Sequence, residues 1–370
     1  MWDALPRERF DVSVLLTSRN AFDLEETDVG HRPARSLRNL LPPGRLGDLA
    51  MGVTGDRYLG ADEAFAAADI VHTEETSYWH SGDAARRKQA NRYKLVVTVW
   101  ETLPLLNAFR NRWARVYRSR VLEAADLLLP ATERARAALL LEGVPEARAE
   151  VCYPGVDVER FAARAESLPE AHVIVSAGRL VWEKGHQDVM RALAAIRRGQ
   201  VQAPQAVAPR LLVIGSGPEE GRLREHAREL GLEDCVDFRS AAYGEMPAVY
   251  AGASCLVLAS LSTAYCSRYL GDLPRCFWEE QFGLVLAEAI AAGLPIVAST
   301  SGAIPEVAGE AATYFPPGDW LELAKRLAAG PLDRPPGTRA DHPPELVGRY
   351  STAAAAERLA AVYDRLVTSS

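Results

Sequence analysis

At 370 residues the chain exceeds what one hydrophobic core usually organises, so two domains are expected. A composition of 48% hydrophobic and 25% charged residues is that of a globular protein, and a net charge of −7 argues against a general nucleic-acid binder. No run of about 18 uninterrupted apolar residues occurs, which speaks against a membrane-spanning helix.

In chain order, short β-rich runs alternate with amphipathic helical stretches, the signature of parallel α/β sheets. Strands are predicted over 11–17, 68–73, 94–100, 125–131 and 149–154 in the first half. In the second half they fall at 172–178, 210–217, 236–240, 255–260 and 295–299. Near-continuous Val/Ile/Leu runs of this kind suit strands covered on both faces. Helices are predicted over 132–142, 187–198, 219–230, 247–251, 284–292 and 319–328. The stretch 153–171 reads as a junction, and the domain boundary is placed near residue 165. After a Pro-rich linker (333–346), the Ala-rich stretch 349–366 reads as a closing helix.

Charge is unevenly spread. Between Arg86 and Arg120 stand ten Lys/Arg and one acid, Glu101, a local +9 that leaves −16 for the remainder. In 109–120, Phe109, Trp113, Val116 and Tyr117 share one helical face, with Arg112, Arg115 and Arg118 elsewhere. Such a helix suits either attachment to an anionic membrane surface or a domain helix with a solvated cationic face. The five cysteines (Cys152, Cys235, Cys255, Cys266, Cys276) form no C-x-x-C pair. They read as reduced thiols of a cytoplasmic protein, not as disulfides or a zinc site. The opening MWDALPRERF lacks the apolar core of a signal peptide.

Three loops carry the chemistry. AGRLVWEKGH (177–186) joins a buried strand to a helix, and ligands of doubly wound sheets bind at strand carboxyl ends. Arg179 and Lys184, flanked by Gly178 and Gly185, suit a diphosphate: Arg forks two oxygens and Lys acts as a point charge. The alternative is a solvated loop with two surface cations. In VIGSGPEEG (213–221) the third glycine falls one position late for a dinucleotide fingerprint, so Gly215 marks a turn approaching a nucleotide. In WEEQFGLVLAEAIAAGLPIVAS (278–299) a helix is predicted from Leu284, with free amides near Gly283 and Leu284 facing an anion. Glu280 precedes that helix and Glu288 lies one turn into it. Both carboxylates suit vicinal hydroxyls, against the plainer reading of a capping loop with one solvent-facing Glu. Together the loops describe a nucleotide-sugar site, and no D-x-D metal handle is present.

The second half resembles the family 4 retaining glycosyltransferases of GT-B fold. The resembling stretches are GRLVWEKG (178–185), VIGSGP (213–218), EEQFGLVLAEAIAAGLPIVAS (279–299), SGAIPEVAG (301–309), FPPGDW (315–320) and YSTAAAAERLAAVYDRL (350–366). The stretch 125–161 is similar as well. The resemblance implies an α/β architecture of two Rossmann-like parallel-sheet domains facing a cleft. Residues 1–165 would form the acceptor side, 166–348 the donor domain, and 349–370 a closing helix crossing back. It implies Glu280, Arg179 and Lys184 as catalytic residues, with Glu288, Phe282, Gly283, Leu284, Gly178 and Gly215 binding the donor. It further implies transfer with retention and no cofactor or metal beyond the nucleotide-sugar co-substrate.

Two departures accompany it. Where many members place a His after the strand of VVTVWET (96–102), this chain has Trp100 and Glu101, and HTEET (72–76) offers His72, Glu74 and Glu75. These are the acceptor-side candidates, with a satisfied strand-end histidine as the plainer reading of His72. The start, MWDALPRERFDVSVLLT, resembles the end of the first helix and the second strand of the fold. The usual first strand and its Gly-rich loop are therefore expected to be missing, through a start upstream of Met1 or a shortened chain. The expected function is transfer of a sugar to a sugar or lipid-linked acceptor, cytoplasmic or peripheral to an anionic membrane through 86–120, with no nucleic-acid partner. The alternatives are a catalytically inactive GT-B subunit and another GT-B enzyme such as a nucleotide-sugar epimerase.

Overall fold

A computed structural model describes residues 2–17, 28–106, 112–163, 169–203, 208–265 and 276–368. The chain divides into two compact units, 1–155 with 352–370 and 156–351. Cys266, Phe109 and the residue-165 boundary lie outside the described residues.

Among the described residues, the first unit holds two three-stranded sheets. In one, β1 (Ser13–Thr17) runs parallel to β2 (Gly30–Ser36), which pairs antiparallel with β3 (Tyr58–Leu59). In the other, β4 (Ile70–Glu74), β5 (Lys94–Val99) and β6 (Leu127–Pro130) are all parallel, with Ile70 opposite Lys94 and Val96 opposite Leu127. The apolar run of β5 is explained by burial on both sides. Leu95, Val97 and Val99 pack in a cluster with Ala84 and Val121, and Val96 packs with Leu359, Ala360 and Tyr363 of the closing helix (Thr352–Thr368). The alternation follows the two-residue side-chain period of a strand.

Residues 149–154 do not make the expected strand. Only Ala149 bridges Leu128, and the Glu150 and Cys152 amides donate to Leu128 O and Pro130 O before Pro154, which has no N–H to give. Sequence periodicity also missed α1 (Arg45–Thr54), β2, β3 and α2 (Trp79–Arg87); the polar composition of β2 and α2 hides their pattern, and β3 is only two residues long.

The basic belt is largely structural. Arg87 pairs with buried Asp83 and with Asp62, and Lys88 pairs with Asp126. In α3 (Arg112–Ala124), Tyr117 is buried, its hydroxyl accepting from the Asp56 amide at 2.7 Å, and Trp113 Nε1 donates to Gly52 O at 2.9 Å. Two residues of the aromatic face, Trp113 and Tyr117, are therefore bonded inside this unit, and Arg112 and Arg115 are left exposed.

Among its described residues, the second unit is built on a six-stranded parallel sheet. Its strands are β7 (Val173–Ala177), β8 (Arg210–Ile214), β9 (Val236–Arg239), β10 (Cys255–Leu258), β13 (Ile296–Ser299) and β14 (Ala312–Phe315). A separate antiparallel hairpin, β11 (Thr263–Tyr265) and β12 (Cys276–Trp278), sits between β10 and β13 in sequence. The sheet order is β14-β13-β10-β7-β8-β9. The chain works outward from β7 to β9, then returns to the other side of β7. The strand order thus reverses between β7 and β10, the point at which open α/β sheets bind ligands. Further helices include α4 (Glu133–Leu141) in the first unit and, here, α5 (His186–Arg197), α6 (Glu220–Glu229), α7 (Met246–Ala251), α8 (Leu284–Ala291), α9 (Ile304–Ala308) and α10 (Trp320–Ala329).

Candidate active site

The loop after β7 is held by main chain on both flanks. On one side, Gly178 N donates to Ile214 O and Leu180 N to Ser216 O, each at 2.9 Å. On the other, Leu261 N donates to Glu183 O at 2.8 Å. Such close approach explains two glycines. A Cβ on Gly215 would strike Gly178 O, and one on Gly185 (φ 72°) would strike Ala259 O. The Gly215 turn therefore braces the loop that carries Arg179 and Lys184.

His186 opens α5 and fixes the loop from beneath. Its Nε2 lies 3.2 Å from Arg179 O, which can only accept, so Nε2 carries the proton and Nδ1 accepts from Ser176 Oγ at 2.8 Å. Burial lowers this imidazole to about 4, leaving it neutral.

Lys184 and Glu280, 96 positions apart, meet at the switch point. Lys184 Nζ lies 2.6 Å from Glu280 Oε2, which also accepts from Ser260 Oγ at 2.6 Å. Lys184 Nζ stands 5.1 Å from the centre of the Trp278 ring. The Glu280 backbone is clamped as well: its amide donates to Ser301 Oγ at 3.1 Å and its carbonyl accepts from Ala303 N at 2.8 Å. Ser301 Oγ donates in turn to Leu261 O and Ser299 Oγ to Ser260 O, so serine hydroxyls tie the loops after β10 and β13 to Glu280. Arg179, on the same loop as Lys184, is exposed.

Two residues beyond Glu280, the chain turns inward. Phe282 is buried with its ring edge-on to Tyr350 at 5.6 Å, so it contributes no side chain to an open sugar pocket. Gly283 is the N-cap of α8 and Leu284, the first helical residue, is exposed. The Leu286 amide donates to Gly283 O at 2.8 Å, and the first-turn amides ahead of it, which helix geometry leaves without an intrahelical acceptor, make this end receptive to an anion. Glu288, one turn further, is buried, and its Oε2 accepts from Tyr250 OH at 2.8 Å. Burial pushes its carboxyl up to about 7, the Tyr250 bond opposing that rise. Tyr243, half-exposed at the start of the turn before α7, lies near enough for the Glu288 charge to help raise its phenol to about 12, after burial.

In the first unit, His72 is a satisfied structural histidine, which corrects its place among the acceptor candidates. Its ring nitrogens lie 2.6 Å from Tyr363 OH and 2.8 Å from Thr98 Oγ1, and burial lowers it to about 4. Glu74 keeps a half-buried side chain that burial shifts upward, while its carbonyl accepts from Ser81 Oγ. Trp100 and Glu101 stand together at the end of β5, and both their amides donate to Glu75 Oε1, at 2.8 and 3.0 Å. Glu75 is buried in a left-handed backbone conformation (φ 59°), and burial pushes its carboxyl up to about 7.

Sequence reasoning missed Ser260, Ser301, Trp278 and Tyr250. Ser260 had a readable signal, a small polar residue at the carboxyl end of an apolar strand. Tyr250 had none, because it lies 38 positions from Glu288 in an unremarkable short helix.

Known proteins resemble this chain in sequence and in fold. Residues 157–335 match the model of glycosyl transferases group 1, and residues 2–160 match that of glycosyltransferase family 4. The GDP-mannose-dependent alpha-(1-6)-phosphatidylinositol monomannoside mannosyltransferase of Mycobacterium tuberculosis is 31% identical over 217 residues, covering 56% of this chain and 50% of that protein. The D-inositol 3-phosphate glycosyltransferase of Salinispora arenicola is 28% identical over 323 residues, 77% of this chain and 66% of that one. The chain thus spans about half the length of relatives such as the mycobacterial protein. Among solved structures, sucrose-phosphate synthase from Thermosynechococcus elongatus superposes with TM-score 0.73 at 22% identity, covering 100% of this chain and 92% of that one. Anabaena HepE in complex with UDP superposes with TM-score 0.69 at 18% identity, covering 97% and 94%. These likenesses identify the fold as GT-B. With one family model on each half, together spanning residues 2–335, the chain belongs to glycosyltransferase family 4.

Proposed function

We propose that this chain is a retaining, metal-independent glycosyltransferase that takes a sugar from a nucleotide-diphosphate sugar. The observation that carries this is the Lys184–Glu280 pair at the switch point, beside the open N-terminus of α8 and one turn from Glu288. Arg179, Lys184 and the first-turn amides of α8 supply the positive charge that a departing diphosphate needs. Glu280 accepts hydroxyl hydrogen bonds of the transferred sugar, and Glu288 reads the vicinal hydroxyls of ribose. The bond between the anomeric carbon and the diphosphate oxygen breaks, and the acceptor oxygen bonds to that carbon from the same face. The acceptor proton passes to the departing phosphate oxygen. Relatives support a nucleotide donor: one is GDP-mannose-dependent by name, and HepE was solved with UDP and with UDP-glucose.

The acceptor, of sugar or lipid-linked class, is assigned to the first unit, where Trp100, Glu101 and Glu75 gather at the carboxyl ends of β4 and β5. Attachment to an anionic membrane through the aromatic face of 86–120 is not part of this reading, because Trp113 and Tyr117 are already bonded within their unit.

A thermal-shift series with UDP, GDP and ADP tests the proposal. A nucleotide at 100 times its Kd adds about 2.7 kcal/mol to stability, a rise of roughly 5–10 °C for a unit of this size. The nucleotide that shifts the wild type should shift Arg179→Ala by about half as much or less at the same concentration. If none of the three moves the wild type, the donor reading fails.

A further inference from the structure

We propose that Tyr250 is a positioning residue for ribose recognition, its hydroxyl holding one oxygen of Glu288 so that the other is presented to the ribose hydroxyls. The inference rests on the donor-binding reading of Glu288.

A carboxylate at the end of a Glu side chain rotates freely unless something fixes it, and a rotating acceptor discriminates hydroxyl positions poorly. Glu288 projects from α8 and Tyr250 from α7, and the contact between Tyr250 OH and Glu288 Oε2 is 2.8 Å with both residues buried. No hydrogen bond from the described residues reaches the second oxygen, Oε1.

Tyr250 is itself held from two sides. The Arg339 guanidinium donates to the carbonyls of Tyr250, Ala251 and Ala253, at 3.2, 2.5 and 2.9 Å, which locks the carboxyl end of α7. The Phe161 ring packs against the Tyr250 ring, centres 5.8 Å apart. A phenol is well suited to this task. Its donor hydrogen is committed to the carboxylate, while its stiff ring carries the constraint back into the core. Replacing the phenol by phenyl would keep the packing and release the carboxylate.

The test is calorimetric titration of the full chain with the nucleoside diphosphate that binds in the thermal series, and with its 2′-deoxy and 3′-deoxy analogues. The wild type should prefer the ribonucleotide by about tenfold or more, the usual worth of a hydrogen bond to a charged group. In Tyr250→Phe that preference should fall to within about threefold through weaker ribonucleotide binding, with the affinity for the deoxy analogues held; this constant affinity also shows that the variant is folded. Glu288→Gln should lose the preference in the same way. A Tyr250→Phe protein that keeps the wild-type preference overturns the proposal, as does one that loses affinity for all three ligands alike, since Tyr250 would then be only structural. A wild type that binds the diphosphate but ignores both hydroxyls removes the ribose assignment of Glu288 and this role with it. A wild type that binds no nucleoside diphosphate removes the donor reading itself.

Discussion

Glu288→Gln should stabilise the second unit at neutral and alkaline pH while weakening nucleotide binding. Burial raises the Glu288 carboxyl from 4.5 to about 7, against the opposing bond from Tyr250. The sign follows from where the proton sits. Below about pH 4.5 the folded and unfolded chains both hold it, and Glu288 contributes nothing. Between there and pH 7 the unfolded chain sheds a proton that the folded chain keeps, so stability falls by about 1.4 kcal/mol per pH unit. Above pH 7 the folded carboxyl ionises too, and the penalty levels at about 3 kcal/mol. Glutamine copies the neutral carboxyl, still accepts from Tyr250 OH and does not titrate. The variant should match the wild type to within about 1 kcal/mol at pH 5 and exceed it by about 3 kcal/mol at pH 8.5. For a unit of nearly 200 residues that is roughly 6–12 °C in Tm. Scanning calorimetry of both proteins without nucleotide, at pH 5 and 8.5, measures it. An offset that is equal at both pH values, or a variant less stable at pH 8.5, refutes the reasoning. A carboxylate kept at the expense of stability would, in the proposed donor site, be the usual trade between activity and stability.

Glu280→Ala should abolish sugar transfer, by at least about a hundredfold, with native circular dichroism retained; a variant that transfers at the wild-type rate removes the site assignment. Arg179→Ala should weaken binding of a nucleoside diphosphate by roughly ten- to a hundredfold and of the nucleoside far less, since a forked charge-assisted contact is lost only where phosphate is present; calorimetry with both ligands separates the cases. His72→Gln should leave transfer within about threefold of wild type and protect the first unit against acid, because burial lowers the folded imidazole to about 4. Below about pH 6.5 the unfolded chain gains a proton the folded chain refuses, so the wild type loses stability progressively down to about pH 4 and the variant does not. Unfolding midpoints in denaturant at pH 7 and 4.5 decide it: a wild type and variant that lose stability in parallel contradict the assignment.

Much of the second unit was legible because its information is local. Each of β7, β8, β10 and β13 is a short, mainly apolar run of the kind that suits a parallel strand covered on both faces, and Gly283 and Gly293 bracket α8. The first unit was harder. The polar helix α2 and the short strands β2 and β3 carry no clean period, because Asp83, Arg87 and Lys88 are tied into ion pairs there instead of facing solvent. The basic helix α3 showed its amphipathic face plainly, yet nothing local says whether such a face meets lipid or the next helix.

The amino-acid sequence by itself determined the two parallel-sheet halves, the glycines that let loops approach, and the residue types on which the proposed diphosphate and hydroxyl site rests. Spacing along one chain segment carries those facts. Only the tertiary structure decided that Lys184 lies on Glu280, that Ser260 shares that carboxylate, that Tyr250 holds Glu288, and that His72 is spent on Tyr363 and Thr98. These pairs join residues 20 to 291 positions apart. They exist because the strand order reverses between β7 and β10 and because the closing helix packs on β5, and no local period encodes either.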